Sequence, residues 1–252
     1  MESRISQLAI DSLFPRFCLG CHTEGSLWCL TCSTTWWPAP VRFGCPFCGK
    51  GSLSFVCSNC KGESFLDGLS VFSHYGNPIV REAINQWKYI GDKTVNDILF
   101  RWIVRAAPAL KPPFSNFVFA PVPLHRFKRR ARGFDQAGVL ADWCGQIYNQ
   151  PVFDLLVRTR QTASQAQKSH EVRKLGELDG LFCVNPLLVC HPEATFASLS
   201  AGSGRRISSL PEDVVLCDDV FTSGATMDAA ARCLKENGVK RVWGLVIAKG
   251  NI

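Results

Sequence analysis

The chain has 252 residues, of which 46% are apolar and 19% charged, with a formal net charge of +7. That is the make-up of an ordinary soluble globular protein, long enough for one sizeable domain plus a small one. No apolar run reaches the roughly 18 residues that a membrane-spanning helix needs. Met1 to Gly20 lacks the basic-then-apolar order of a secretory signal, so the expected location is the cytoplasm. The positive charge fits either a plain basic surface or an anionic ligand, a phosphate-rich small molecule or nucleic acid. Its densest cluster is His125, Arg126, Lys128, Arg129, Arg130 and Arg132.

Residues up to about Gly62 are rich in Cys, Trp, Pro and Gly and carry no long periodic stretch. Eight of the 13 cysteines fall here, as four Cys-x-x-Cys pairs: Cys18/Cys21, Cys29/Cys32, Cys45/Cys48 and Cys57/Cys60. In a reducing compartment such a set binds metal and does not form disulfides. A two-residue spacer lets both thiolates of a tight turn face one tetrahedral ion, and two pairs complete a four-thiolate zinc site. Seven residues separate the first two pairs, eight the last two, and twelve the two halves. Two consecutive zinc ribbons are the simplest assignment, with interleaved pairing still open on spacing alone. Closed four-thiolate sites leave no open coordination position, so these zinc ions read as structural. His22 reads as a bystander. Trp28, Trp36 and Trp37 either stack the bases of a nucleic acid or, the more ordinary outcome, fill a core too small to form otherwise. The double ribbon is expected over residues 1–62 and a second domain over 63–252.

From about Phe65 the pattern changes. Asp67 to Tyr75 reads as a strand, with Leu69, Val71 and Phe72 apolar. Pro78 to Arg105 reads as helical: Ile79, Ala83, Ile84 and Trp87, then Val95, Ile98, Leu99 and Trp102, recur at helical spacing, with Gly91 dividing two helices. After Pro112 and Pro113, Phe117 to Ala120 reads as a buried strand ended by Pro121-Val122-Pro123. A helix is expected from about Asp135 to Tyr148, and a further element over Pro151 to Val157. Thr159 to Glu177 reads as a mobile loop leading into a helix, Leu181 to Val184 as a short strand, and Pro186 to Pro211 as irregular. Val214 to Cys217 reads as a central parallel strand, Ala225 to Asn237 as a helix closed by Gly238, and Arg241 to Ala248 as the last strand. Strands alternating with helices predict an α/β fold, a mainly parallel sheet flanked by helices.

The richest segment runs from Val214 to Thr226. An apolar strand ends in Asp218 and Asp219, a short loop follows, and a helix begins directly. Backbone N–H groups at a helix N-terminus, aided by the helix dipole, cradle phosphate. Gly224 permits close backbone approach, and Thr222, Ser223 and Thr226 add hydroxyls. Ligands of open α/β sheets bind at the carboxyl ends of the strands, where these groups sit. The plain alternative is a capped helix with two solvated carboxylates.

This segment resembles the phosphoribosyl pyrophosphate (PRPP) signature of type I phosphoribosyltransferases. The resemblance implies that Asp218 and Asp219 hold the ribose hydroxyls, partly through Mg²⁺. It implies that Val220 and Thr222, Ser223, Gly224, Ala225 and Thr226 bind the ligand, with the loop on its 5′-phosphate. Zinc pairs ahead of such a domain resemble the ComF/GntX family, linked to competence and DNA uptake. Further matches are Trp87-Lys88-Tyr89 with Gly91-Asp92, Ala120 through His125, Arg132-Gly133-Phe134-Asp135-Gln136, then Arg158, Thr162, Gln165 and Arg173. Three departures stand out: Asp135 where the family usually has Asn, Lys174-Leu175-Gly176 after Arg173, and a longer stretch over 186–211.

By the same resemblance, Pro121 to His125, including Pro123, takes the place of the pyrophosphate loop. Lys88, Arg126, Arg129 and Arg132 are candidate counter-charges for the leaving group, Arg132 the best placed in the motif and read as catalytic with the acidic pair. The loop from Arg158 to Arg173 is positioned to close over a ligand. Purine-salvage relatives carry Asp where this chain has Thr222, so no general base is evident and the acceptor is not readable. Three roles follow: a Mg²⁺-dependent phosphoribosyl transfer, a non-catalytic PRPP sensor, and an accessory factor binding single-stranded DNA or a DNA-uptake helicase-like protein.

Overall fold

The computed structural model describes residues 15–41, 44–51, 54–89, 93–124, 130, 133–159, 180–188 and 209–250. In chain order these form helices α1 (Leu30–Thr35) and α2 (Ser58–Lys61), strand β1 (Gly68–His74), helices α3 (Pro78–Tyr89) and α4 (Lys93–Ala106), and strand β2 (Val118–Pro121). Helix α5 (Gln136–Tyr148) follows, then strands β3 (Leu156–Arg158), β4 (Phe182–Val184) and β5 (Asp213–Phe221), helix α6 (Ala225–Glu236) and strand β6 (Arg241–Lys249).

Four strands make one parallel sheet in the order β1-β6-β5-β2, and β3 pairs antiparallel with β4. This is the α/β architecture that the alternation predicts. The central strand runs further than expected: β5 stays paired with β6 through the acidic pair as far as Phe221 opposite Lys249. The element expected over 151–157 is a single parallel bridge, Phe119 with Val152, followed by β3. The stretch read as a mobile loop into a helix falls almost wholly outside the described residues.

Side chains alternate across a strand, and the core is divided accordingly. Val215, Cys217, Trp243, Leu245 and Ile247 face a cluster filled by α3, α4 and α5. Val214, Leu216, Val242 and Val246 face the other cluster, which contains α6 together with Leu156 and Phe182. The cysteine-rich segment splits the same way. Leu19, Leu27, Trp28 and Trp36 join the first cluster, whereas Cys45, Phe47 and Val56 join the second. Two bridges meet the edge strand β1: Val41, between the two clusters, pairs with Val71, and Phe55, within the second cluster, pairs with Gly68. That covers backbone groups which an open edge would leave unpaired.

The tryptophans serve the core. Trp28 and Trp36 meet each other and Trp102 of α4 edge to face, with centroids 5.4–5.6 Å apart, and Trp37 carries the Arg105 guanidinium over its ring.

The segment joining the cysteine clusters to the sheet is held by two carboxylates. Asp228, buried in the first turn of α6, accepts from Ser64 Oγ and Phe65 N at 2.7 Å each and from Leu66 N at 3.1 Å. Asp67 accepts from Val242 N at 2.8 Å and pairs with Lys235 Nζ at 2.9 Å.

Candidate functional site

Each half of the cysteine segment gathers its own four thiols. The sulfur atoms of Cys18, Cys21, Cys29 and Cys32 lie within 4.8 Å of one another, as do those of Cys45, Cys48, Cys57 and Cys60. Pairing is therefore consecutive, and the interleaved alternative is excluded. The two halves repeat one design. Cys29 and Cys57 each cap a short helix with nearly identical backbone angles, φ −71° in both. The residue after the second cysteine turns left-handed in both, His22 at φ 58° and Gly49 at φ 73°. That position explains His22, which serves the turn. A four-thiol cluster of this compactness is the donor set of a closed zinc site, and each cluster can hold one ion.

The thiols within a cluster are unequal. The Thr23 hydroxyl brings Cys21 down to about 6. Burial, reinforced by neighbouring sulfurs, pushes Cys32 and Cys60 up to about 12. A metal ion must therefore displace protons, which ties occupancy to pH.

The second feature is a pocket of about 290 Å³ at the carboxyl ends of the parallel strands. Tyr75 comes from beyond β1, Lys88 from α3, Val122, Pro123 and Leu124 from beyond β2, and Arg158 from the end of β3. Residues 218–227 supply the rest. The loop is shaped by its local chemistry. Gly224 caps α6 at φ 78°, in the left-handed region, and a side chain there would strike the Phe221 ring. The first amides of α6 have no carbonyl of their own helix to bond; Ala225 N donates to Ser223 Oγ at 3.5 Å, and Ser223, Gly224, Ala225 and Thr226 all line the pocket.

The acidic pair is oriented by its own backbone. Asp218 Oδ1 accepts from Asp219 N at 2.8 Å, and Asp219 Oδ1 accepts from Val220 N at 2.6 Å. Lys88 Nζ meets Asp219 Oδ2 at 2.6 Å. Lys88 is aimed by its neighbour: Trp87 is fully buried, donates to Asn96 Oδ1 at 2.6 Å and stacks on Trp143. Burial and the adjacent Asp219 charge push the Asp218 carboxyl up to about 8, with Asp135 adding to the rise and Lys88 opposing it. Burial also pulls Arg158 below the usual guanidinium range, while Asp218 holds it up. The pocket thus places two carboxylates, two cations and a helix N-terminus around one space, which suits a ligand carrying both phosphate and hydroxyl groups.

Of the residues singled out from the sequence, Asp218, Asp219, Val220, Thr222, Ser223, Gly224, Ala225, Thr226, Pro123 and Lys88 all line this pocket. Arg132 lies outside the described residues, as do His125, Arg126, Lys128 and Arg129, while Arg130 is exposed. Asp135 caps α5, accepting from Gly138 N at 3.3 Å. Asn would cap equally well, so the departure from the family habit changes charge and not the fold. Tyr75, in the sequence only the end of a strand, also lines the pocket. The available signal was its place at the carboxyl end of β1, level with the other strand ends. Among the described residues, no helix is long and apolar enough to cross a membrane.

No family model matches the chain. Three curated proteins are similar over most of its length. Competence protein ComFC of Bacillus subtilis (strain 168) is 27% identical over 203 residues, covering 77% of this chain and 72% of that protein. Competence protein ComFC of Streptococcus pneumoniae (strain ATCC BAA-255 / R6) is 24% identical over 228 residues, covering 88% and 87%. Competence protein F of Haemophilus influenzae (strain ATCC 51907 / DSM 11121 / KW20 / Rd) is 27% identical over 217 residues, covering 81% and 85%. With twin four-cysteine clusters ahead of a parallel α/β sheet, the chain is similar to these three competence proteins along most of its length.

Proposed function

We propose that the pocket binds PRPP with Mg²⁺, and that the protein takes part in a competence-related process such as DNA uptake. The observation that carries the ligand is the continuous run from β5 through Asp218 and Asp219 into the Thr222–Thr226 loop at the head of α6, all lining one pocket with Lys88 and Arg158. The role in competence rests on the names of the three relatives.

In this reading the loop amides and hydroxyls hold the 5′-phosphate, and the acidic pair holds the ribose hydroxyls. Asp218 and Asp219 would hold the Mg²⁺, which supplies positive charge beside the departing pyrophosphate when bound. Lys88 and Arg158 stand where they can meet the remaining phosphate charge, and Pro123 belongs to the turn facing the pyrophosphate. Thr222 cannot accept a proton at neutral pH as a carboxylate would, so deprotonation of an acceptor from that position is not part of this proposal. Structural zinc, one ion in each cysteine cluster, completes it.

The test is calorimetric titration of PRPP with Mg²⁺ into the zinc-loaded protein, beside Asp218→Ala/Asp219→Ala. Binding by the wild type that disappears in the variant supports the reading. A well-folded wild type that binds no PRPP ends it. Pyrophosphate release from bound PRPP then separates a transferase from a sensor.

A further inference from the structure

The two cysteine clusters repeat one fold, yet they differ at the residue before the second cysteine of the first pair: Gly20 in one, Phe47 in the other. Gly20 is closed in, since a Cβ there would lie 2.8 Å from Cys32 Sγ and 3.3 Å from the Trp28 ring. Phe47 reaches away from its cluster to Phe221, with ring centroids 5.9 Å apart and planes at 65°. Gly224 rests against both rings: a Cβ there would collide with Phe221 and come within 2.9 Å of Phe47 Cε1. The turn that presents Ser223, Gly224 and Ala225 to the pocket therefore sits on a floor made partly by the second cysteine cluster. The same cluster holds α6 a second time, because the Ser64–Leu66 segment just beyond Cys60 is bonded to Asp228.

We propose that Phe47 is a positioning residue for the 222–226 loop, and that metal occupancy of the second cluster is thereby coupled to ligand binding in the pocket. This rests on the PRPP reading given above. A phosphate cradle works only while its amides converge, and a loop that must be ordered on binding loses affinity. The knuckle that carries Phe47 is fixed when its four thiolates hold an ion, and loss of the ion frees the ring. Coupling of two binding events is reciprocal, so a ligand in the pocket must also tighten the metal of that cluster.

The experiment compares the zinc-loaded wild type with Phe47→Ala, Phe47→Leu and, as a control on the first ribbon, Leu30→Ala, whose side chain is exposed. Zinc content, calorimetric affinity for PRPP in excess Mg²⁺, and amide hydrogen exchange are measured on each. The expected result for Phe47→Ala is full zinc content, PRPP affinity weakened roughly tenfold, and faster exchange over 222–226 with 18–32 unchanged. Phe47→Leu recovers most of the affinity, and Leu30→Ala matches the wild type. In the wild type, PRPP slows transfer of one of the two zinc ions to a chromogenic chelator and leaves the other unaffected. Unchanged affinity and unchanged exchange at 222–226 in Phe47→Ala would overturn the proposal, as would equal zinc release with and without bound PRPP. A wild type that binds no PRPP defeats the reading of the pocket, and the exchange comparison at 222–226 then still decides the role of Phe47.

Discussion

Lys88 Nζ lies 2.6 Å from Asp219 Oδ2, so a cation from α3 already neutralises the carboxylate at the end of β5. Both side chains are largely buried, at 16% and 12% exposure. An uncompensated charge in such a place is costly. Lys88→Met should lower stability to urea by roughly 2–3 kcal/mol. It should also free Asp219 for a divalent cation, so that Mg²⁺ alone binds more tightly while PRPP binds more weakly. Equal Mg²⁺ affinity in variant and wild type would show that the ammonium does not compete.

The raised Asp218 carboxyl gives a pH dependence with a definite sign. Its folded value of about 8 lies above the ordinary carboxylate value of 3.8, so the fold favours the protonated form. The stability that Asp218 itself contributes is fully present below the unfolded value and is lost as pH rises from there towards about 8, where the loss levels off. Asp218→Asn should flatten that slope in urea titrations at stepped pH. Binding of Mg²⁺ selects the carboxylate, so PRPP binding near neutral pH should release a proton. Calorimetry in two buffers of different ionisation enthalpy measures that release, and Asp218→Asn should abolish it.

Asp135 contributes to the same shift from the N-cap of α5. Asp135→Asn keeps a capping oxygen and removes a negative charge. Stability at low pH should change by no more than about 0.5 kcal/mol, while the Asp218 carboxyl titrates lower and fewer protons are released on binding. A carbon-detected NMR titration of the aspartate carboxyls reads this directly.

Removing Asp228 should damage the junction between the cysteine segment and α6. Its Oδ1 accepts from Ser64 Oγ, Phe65 N and Leu66 N, and truncation removes the acceptor they share, leaving Leu66 N only its 3.2 Å bond to Ser64 Oγ. Asp228→Ala should cost about 3 kcal/mol in the urea midpoint analysis, whereas Asp228→Asn retains an acceptor oxygen and recovers most of it.

Metal analysis should find two zinc ions per chain, one for each cluster. Because Trp28 and Trp36 pack on Trp102 in the first core cluster, stripping metal at mildly acid pH should change tryptophan emission and lower Tm together. Retained emission and Tm after complete zinc loss would show that the ribbons fold without metal.

Local chemistry is what the sequence by itself determined. Two-residue spacers put paired thiols in tight turns, helical periodicity marked α3 and α4, and the run from Val214 to Thr226 specified strand, acidic pair, loop and helix start. Each depends on residues close in the chain, where backbone geometry leaves few choices. The tertiary structure alone decided the rest. The two ribbons on opposite faces of the sheet, Lys88 on Asp219, Phe47 beneath Gly224 and Asp228 on the Ser64–Leu66 segment all join residues distant in sequence. They meet because the β1-β6-β5-β2 order brings separate strand ends to one edge, and because alternation across those strands assigns each ribbon its own side of the core. No local pattern encodes that order, since it is selected by burial of both sheet faces at once.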